Sequence, residues 1–154
     1  MRRFPFFLVT ILLLARPAPA ADILYFTSSP TSWVGHGTTR LISDGYDFWA
    51  SPIDPPNTGV IFYIQPFPIS DWWQLSFDGP NRSQPIVGVY SNATRFLNSP
   101  PGPPGLSLVG DGRGDNTLTG NFQVLEAVFA PGGTPLKYAV DFTQYDEGVQ
   151  SAWI

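Results

Sequence analysis

The chain has no cysteine among its 154 residues. Disulfide staples, thiolate zinc sites and iron–sulfur ligation are excluded, so the fold must hold by packing alone. A single histidine, His36, excludes histidine clusters and paired-histidine zinc motifs. Charge is sparse, at 13% of residues, and bases are scarcer than acids, 8 against 12, for a net charge of −4. An acidic surface repels phosphate backbones and anionic headgroups. Neither nucleic acid nor a lipid surface is an expected partner. Helical signal is missing too. No stretch of residues 21–154 sustains an i, i+3, i+4, i+7 apolar pattern, and proline interrupts most long windows. No serine stands in a nucleophile elbow, no phosphate-cradling loop precedes a helix, and no internal repeat is visible.

What is present begins with a segment that reads as an address. Arg2 and Arg3 precede the apolar run FPFFLVTILLLA (4–15). RPAPA (16–20) follows, with Ala18 and Ala20 in the small-x-small arrangement a signal peptidase reads. The run is shorter than the roughly 20 apolar residues that span a bilayer. A secretory signal cleaved after Ala20 is expected, with an extracellular or periplasmic product free of the membrane. Cleavage removes Arg2, Arg3 and Arg16 and leaves 5 bases against 12 acids, a net charge of −7. Residues 21–154 are then one domain, large enough for a hydrophobic core.

Short segments rich in aromatic and β-branched residues fill that domain. They are ILYFTSS (23–29), TTRLIS (38–43), YDFWAS (46–51), GVIFYIQ (59–65), DWWQLSFD (71–78), PIVGVY (85–90), ATRF (93–96), LSLV (106–109), GNFQVLEAVFA (120–130) and LKYAVDFTQY (136–145). Asp44-Gly45 reads as a tight hairpin turn between the second and third. GVIFYIQ is nearly all apolar and reads as a central strand buried on both faces. PGGTP (131–135) joins the last two as a hairpin, since Gly132 and Gly133 supply positive φ. In the second arm Leu136, Tyr138, Val140 and Phe142 alternate with Lys137, Ala139, Asp141 and Thr143, which predicts the first set inward. NSPPGPPG (98–105) reads as a stiff polyproline-like loop. The pattern predicts an all-β fold, a two-sheet antiparallel β-sandwich of short strands.

The stretch GDGRGDNTLTG (110–120) admits three chemistries. Its Arg113-Gly114-Asp115 is the adhesion tripeptide. GRGDNTLTG resembles one copy of a calcium-binding glycine–aspartate repeat, with Asp115 and Asn116 in swapped order. One copy cannot build the inter-coil sites of that architecture. A lone calcium site from Asp111, Asp115 and Asn116 is the remaining metal reading, because calcium takes several oxygens from loops. The third reading is a glycine turn in which Asp and Asn bond their own backbone. On that reading Arg113 and Asn116 are locked into the fold, and Asp115 is a passenger.

In DWWQLSFD, Trp73, Leu75 and Phe77 form an inward set. Trp72 shares its face with Gln74 and Ser76, and an outward tryptophan on a sheet suits stacking on a sugar. Trp33, Trp49 and Trp153 have no assigned face. Among the acids, Asp141 alternates outward and Asp146-Glu147-Gly148 reads as a turn. Glu126 falls on the same alternation face as Phe122, Val124 and Val128, which marks a face switch, a bulge or a buried polar contact. Paired carboxylates such as Asp141 or Glu126 carry the hydrolase reading. His36 has no acid–base partner nearby in sequence and reads as a turn residue.

The segments GVYSNATRF (88–96), PPGLSLVGDGRGDNTLTGNFQVLE (103–126) and AVDFTQYDEG (139–148) resemble those of a group of small secreted bacterial β-rich proteins. Gly88, Tyr90, Ala93 and Arg95 match one segment of that group. Gly112, Arg113, Gly114 and Asn116 match another, and Asp141, Phe142 and Gln144 a third. Such proteins often continue with a further Gly-x-Arg-aromatic-Asn strand. SAWI (151–154) stands where it would begin, so a domain lacking its final strand is an expectation. The resemblance implies no catalytic residues. The reading favoured by the sequence is a secreted, non-catalytic binding or structural module for an extracellular ligand, a polysaccharide or a cell-surface matrix. A small hydrolase and a calcium-stabilised structural module are the alternatives.

Overall fold

A computed structural model describes residues 21–53, 58–96 and 102–154. The expected signal segment (1–20) and positions 98–101 of the proline-rich loop lie outside the described residues. The architecture is nearly all β, in two sheets. β1 (Leu24–Thr27) and β2 (Thr39–Ile42) pair antiparallel as a two-stranded sheet. β3 (Tyr46–Pro52), β4 (Val60–Pro66), β5 (Trp73–Asp78), β6 (Gly88–Arg95), β7 (Gly105–Gly110), β8 (Leu118–Phe129) and β9 (Pro135–Asp146) form the other. Its order is β3-β4-β5-β7-β6-β8-β9, and it curls like half a barrel. Pairing is antiparallel except where β6 meets β7, through Thr94↔Gly105 and Arg95↔Leu106.

Side-chain alternation builds the core. Trp73, Leu75 and Phe77 are all buried on the concave face, as the period of two predicts. They meet Val60 and Ile64 of β4, Leu106 and Leu108 of β7, and Phe122 and Val124 of β8. Leu24, Phe26 and Ile42 of the small sheet close over one end of the same cluster, with Phe26 against the Trp73 ring at 4.8 Å. Full burial of a side chain such as Phe77 or Leu108 contributes about 1.5–3 kcal/mol.

Several expectations need correction. Asp44-Gly45 does not close a hairpin: β2 pairs with β1 and β3 with β4, so this turn passes the chain between sheets. GVIFYIQ is not buried on both faces. Val60 and Ile64 point into the core, whereas Ile61, Tyr63 and Gln65 stay half-exposed, because none of the described residues stacks fully on the convex side. The segments 85–90 and 93–96 are one strand, β6, with an irregularity between Tyr90 and Ala93 where Asn92 takes φ 56°. In β9, Tyr138, Val140 and Phe142 do face the core, but Leu136, beside the turn, is 66% exposed.

Glu126 resolves as a bulge. Val124 pairs with Val140 and Glu126 with Ala139, so β8 carries one extra residue there. The extra residue flips the alternation. Phe122 and Val124 point inward before it, Ala127 and Phe129 pack inward after it, and Glu126 and Val128 turn out.

The last residues add a short strand. Ile154 exchanges both main-chain bonds with Gln144 (2.9 Å each), and the Asp146 N–H donates to the Ala152 carbonyl (2.8 Å). The Ser29 N–H donates to the Trp153 carbonyl (2.9 Å). This tail thus lies between β9 and the segment leaving β1, and Ile154 is buried.

Candidate functional site

The convex face of β3, β4 and β5 carries the outward residues of three neighbouring strands. The register places Trp49 beside Tyr63 and Tyr63 beside Gln74; Asp47 sits beside Gln65. Trp72 immediately precedes β5 on the parity of Gln74, so its ring belongs to the same face. The Trp49 and Tyr63 rings stack at 5.3 Å with an interplanar angle of 15°. Trp49 is 42% exposed and Trp72 38%, so each keeps ring surface open to solvent. Amide and carboxylate groups share this face: Gln74 lies beside Tyr63 and donates to the Ser76 hydroxyl (3.3 Å), and Asp47 and Gln65 form the neighbouring cross-strand pair.

Trp72 sits on a rigid mount. The Asp71 carboxylate accepts from the Tyr46 hydroxyl (2.6 Å) and the Trp73 indole N–H (2.9 Å), and forms an ion pair with Arg40. The Arg40 guanidinium also lies 5.7 Å from the Trp73 ring centre. On the following residue, the Trp72 carbonyl accepts from the Asp111 N–H (3.1 Å). One tryptophan is anchored inward and its neighbour is held outward by the same short backbone segment. The expectation of an outward Trp72 agrees with this geometry, although Ser76 on that face is buried.

Sequence reasoning missed Trp49 and Tyr63. The alternation of Asp47, Trp49 and Ser51 against Tyr46, Phe48 and Ala50 carries the signal for Trp49. Tyr63 is hidden by the uniformly apolar run around it.

The glycine stretch is a turn between β7 and β8. Gly110 and Arg113 exchange main-chain bonds (3.0 and 2.9 Å), with Asp111 and Gly112 at positive φ. Arg113 Nε donates to the Val34 carbonyl (3.1 Å), and its Nη2 stands 3.8 Å from Asp111 Oδ2. Asn116 is held through its main chain: its N–H donates to Glu147 Oε1 (2.9 Å) and its carbonyl accepts from Arg95 Nη1 (3.2 Å). Those two residues are locked in as expected.

Asp115 is not a passenger. It is 3% exposed, and its Oδ2 accepts from Gln144 Nε2 (2.8 Å). Gln144 is itself fully buried and takes the Leu108 N–H (2.8 Å). The Asp146 carboxylate lies close enough for its charge to act on Asp115. Asp146 in turn accepts from the Ser32 hydroxyl (2.6 Å) and the Val34 N–H (3.2 Å). Asp115 Oδ1 and Asp146 Oδ1 are both buried without a hydrogen-bond partner. Two neighbouring buried carboxylates disfavour each other's ionisation. Burial, then the Asp146 charge, pushes the Asp115 carboxyl up to about 7.

The structure therefore brings Trp72 and Asp111 together through the main chain and separates Asp111 from Asp115. Asp111 turns to Arg113, while Asp115 turns inward to Gln144 and Asp146. Among the described residues, no group of three or more His, Cys, Asp or Glu is arranged to hold a metal ion. Asp141 is exposed, and Glu126 stands 3.7 Å from Lys137. Comparison with family models, with curated proteins and with solved structures finds no match.

Proposed function

We propose that the protein is a secreted, non-catalytic binding module that holds a polysaccharide on the convex face of β3, β4 and β5. The observation that carries this reading is the anchoring of Trp72 on the face that holds the stacked Trp49–Tyr63 pair, with Asp47, Gln65 and Gln74 on the same face. Sugar rings offer apolar C–H faces to aromatic planes and hydroxyls to amides and carboxylates, and this face presents both. Secretion rests on the Arg2-Arg3 start, the apolar run and the Ala18-x-Ala20 site.

The test is a glycan array followed by affinity electrophoresis on the polysaccharides that bind. Trp72→Ala and Trp49→Ala each remove one stacking surface, worth roughly 0.5–1.5 kcal/mol, which is about two- to tenfold in affinity. Both rings are partly exposed, so the variants should keep a melting temperature close to the parent's. Unchanged affinity in both variants removes this face as the site. Failure to retain any polysaccharide removes the carbohydrate reading altogether.

A further inference from the structure

Residues 41–81 hold five aspartates and no lysine or arginine. The whole of β3, β4 and β5 lies within them. Of these acids Asp47 stands exposed on the convex face, on the parity of Trp49 and paired across the strands with Gln65. Asp78 is buried, and Asp71 is occupied by Tyr46, Trp73 and Arg40.

The bases that border the region are turned elsewhere. Arg40 pairs with Asp71 and lies against the inward Trp73 ring, on the side of the core. Arg113 belongs to the turn whose Asp111 bonds Trp72, and it is engaged by the Val34 carbonyl and by Asp111. Lys137 faces Glu126.

The register fixes how the aromatic rings are laid out. Trp49, Tyr63 and Gln74 form one row across the three strands. Asp47 and Gln65 belong to the next row, and because Ile64 pairs with Trp73, one further step brings Trp72 level with Gln65. Trp49 and Trp72 therefore occupy opposite corners of the patch, about 12 Å apart between main-chain positions by strand spacing and rise. A single sugar ring covers only one of them. A ligand that meets both is an extended chain, and its path passes between Tyr63 and Gln65.

A carboxylate or sulfate on such a chain finds no base there. It gives up hydration without gaining an ion partner, it approaches Asp47, and the negative faces of the indole and phenol rings repel it. Hydroxyls are matched instead, by the Gln65 and Gln74 amides and by Asp47 as an acceptor. We propose, on the polysaccharide reading of this same face, that the chain it holds is uncharged and that Asp47 makes the face reject carboxylated or sulfated polymers.

The probes are hydroxyethyl cellulose, laminarin and dextran, each beside its carboxymethylated counterpart, in affinity electrophoresis of the full chain at low ionic strength. A neutral polymer that retains the protein should do so at least about tenfold more strongly than its carboxymethylated form. Added salt should narrow that gap, since screening weakens the repulsion. Asp47→Asn should narrow it too, and Asp47→Lys should narrow it further, with melting temperatures near the parent's because the side chain is exposed. Equal or stronger retention by a carboxymethylated polymer overturns the proposal and leaves the polysaccharide reading standing. An unchanged gap in both Asp47 variants overturns the role given to Asp47. Retention by none of these polymers, neutral or charged, removes the polysaccharide reading and this proposal with it.

Discussion

Burial raises two carboxyls of this chain well above their ordinary range, Asp115 to about 7 and Asp78 to about 6. For Asp115 the Asp146 charge adds to the burial effect. For Asp78 the Gly105 N–H and the Arg82 charge oppose it. In both, the folded protein holds a proton that the unfolded chain releases near pH 4. Their contribution to stability is complete below that pH and is lost as pH rises through about 6 and 7. Thermal unfolding followed by circular dichroism should therefore show a higher melting temperature at pH 5 than at pH 8. Asp115→Asn should flatten this slope and exceed the parent at pH 8 by about 1–3 kcal/mol. The amide keeps an acceptor for Gln144 and removes the buried charge that Asp146 opposes. Identical pH slopes in parent and variant would contradict the assignment. Nothing in GDGRGDNTLTG reveals this, because the partner that decides the environment of Asp115 lies 29 residues away at Gln144. A turn motif is local, and burial of its side chains is decided by what packs over it.

At the scale of elements, alternation carries most of the architecture. The inward set of β5 follows from its own residues, because one face is buried and a slip of one residue would expose it. What alternation misses is the pairing partner. Asp44-Gly45 has hairpin chemistry, yet the strands it joins find better partners in separate sheets. The bulge in β8 lies between these cases: Glu126 on an apolar face signals an irregularity, and only the register identifies the residue that causes it. Since Leu125 is the extra residue, deleting it leaves Val124↔Val140, Glu126↔Ala139 and every later pair intact. That deletion should cost no more than about 1–2 kcal/mol in urea unfolding. Deleting Gln123 instead turns one of Phe122 or Val124 to solvent and should abolish cooperative unfolding. Comparable losses from the two deletions would place the bulge elsewhere.

For the whole molecule, the tail from Ala152 to Ile154 joins the sheets. It buries Ile154 in the common core and bonds Gln144 and Asp146 on one side and Ser29 on the other. A chain ended at Ser151 should lose roughly 3 kcal/mol or more, from one buried aliphatic side chain and several main-chain bonds. Hydrogen exchange should then show β1 and β2 opening ahead of β8 and β9; simultaneous opening would mean the small sheet holds without the tail. The seam also fixes an order of events. Ser29 meets Trp153, Thr31 donates to the Ser151 carbonyl and Ser32 to Asp146, contacts spanning 124, 120 and 114 residues. Closing loops of that length consumes chain entropy before any contact returns it, which slows folding. During synthesis Ser29, Thr31 and Ser32 emerge long before Asp146, Ser151 and Trp153, which they meet in the fold. Until those appear, the seam that Ile154 closes stays open on the nascent chain, and apolar residues beside it are exposed to aggregation.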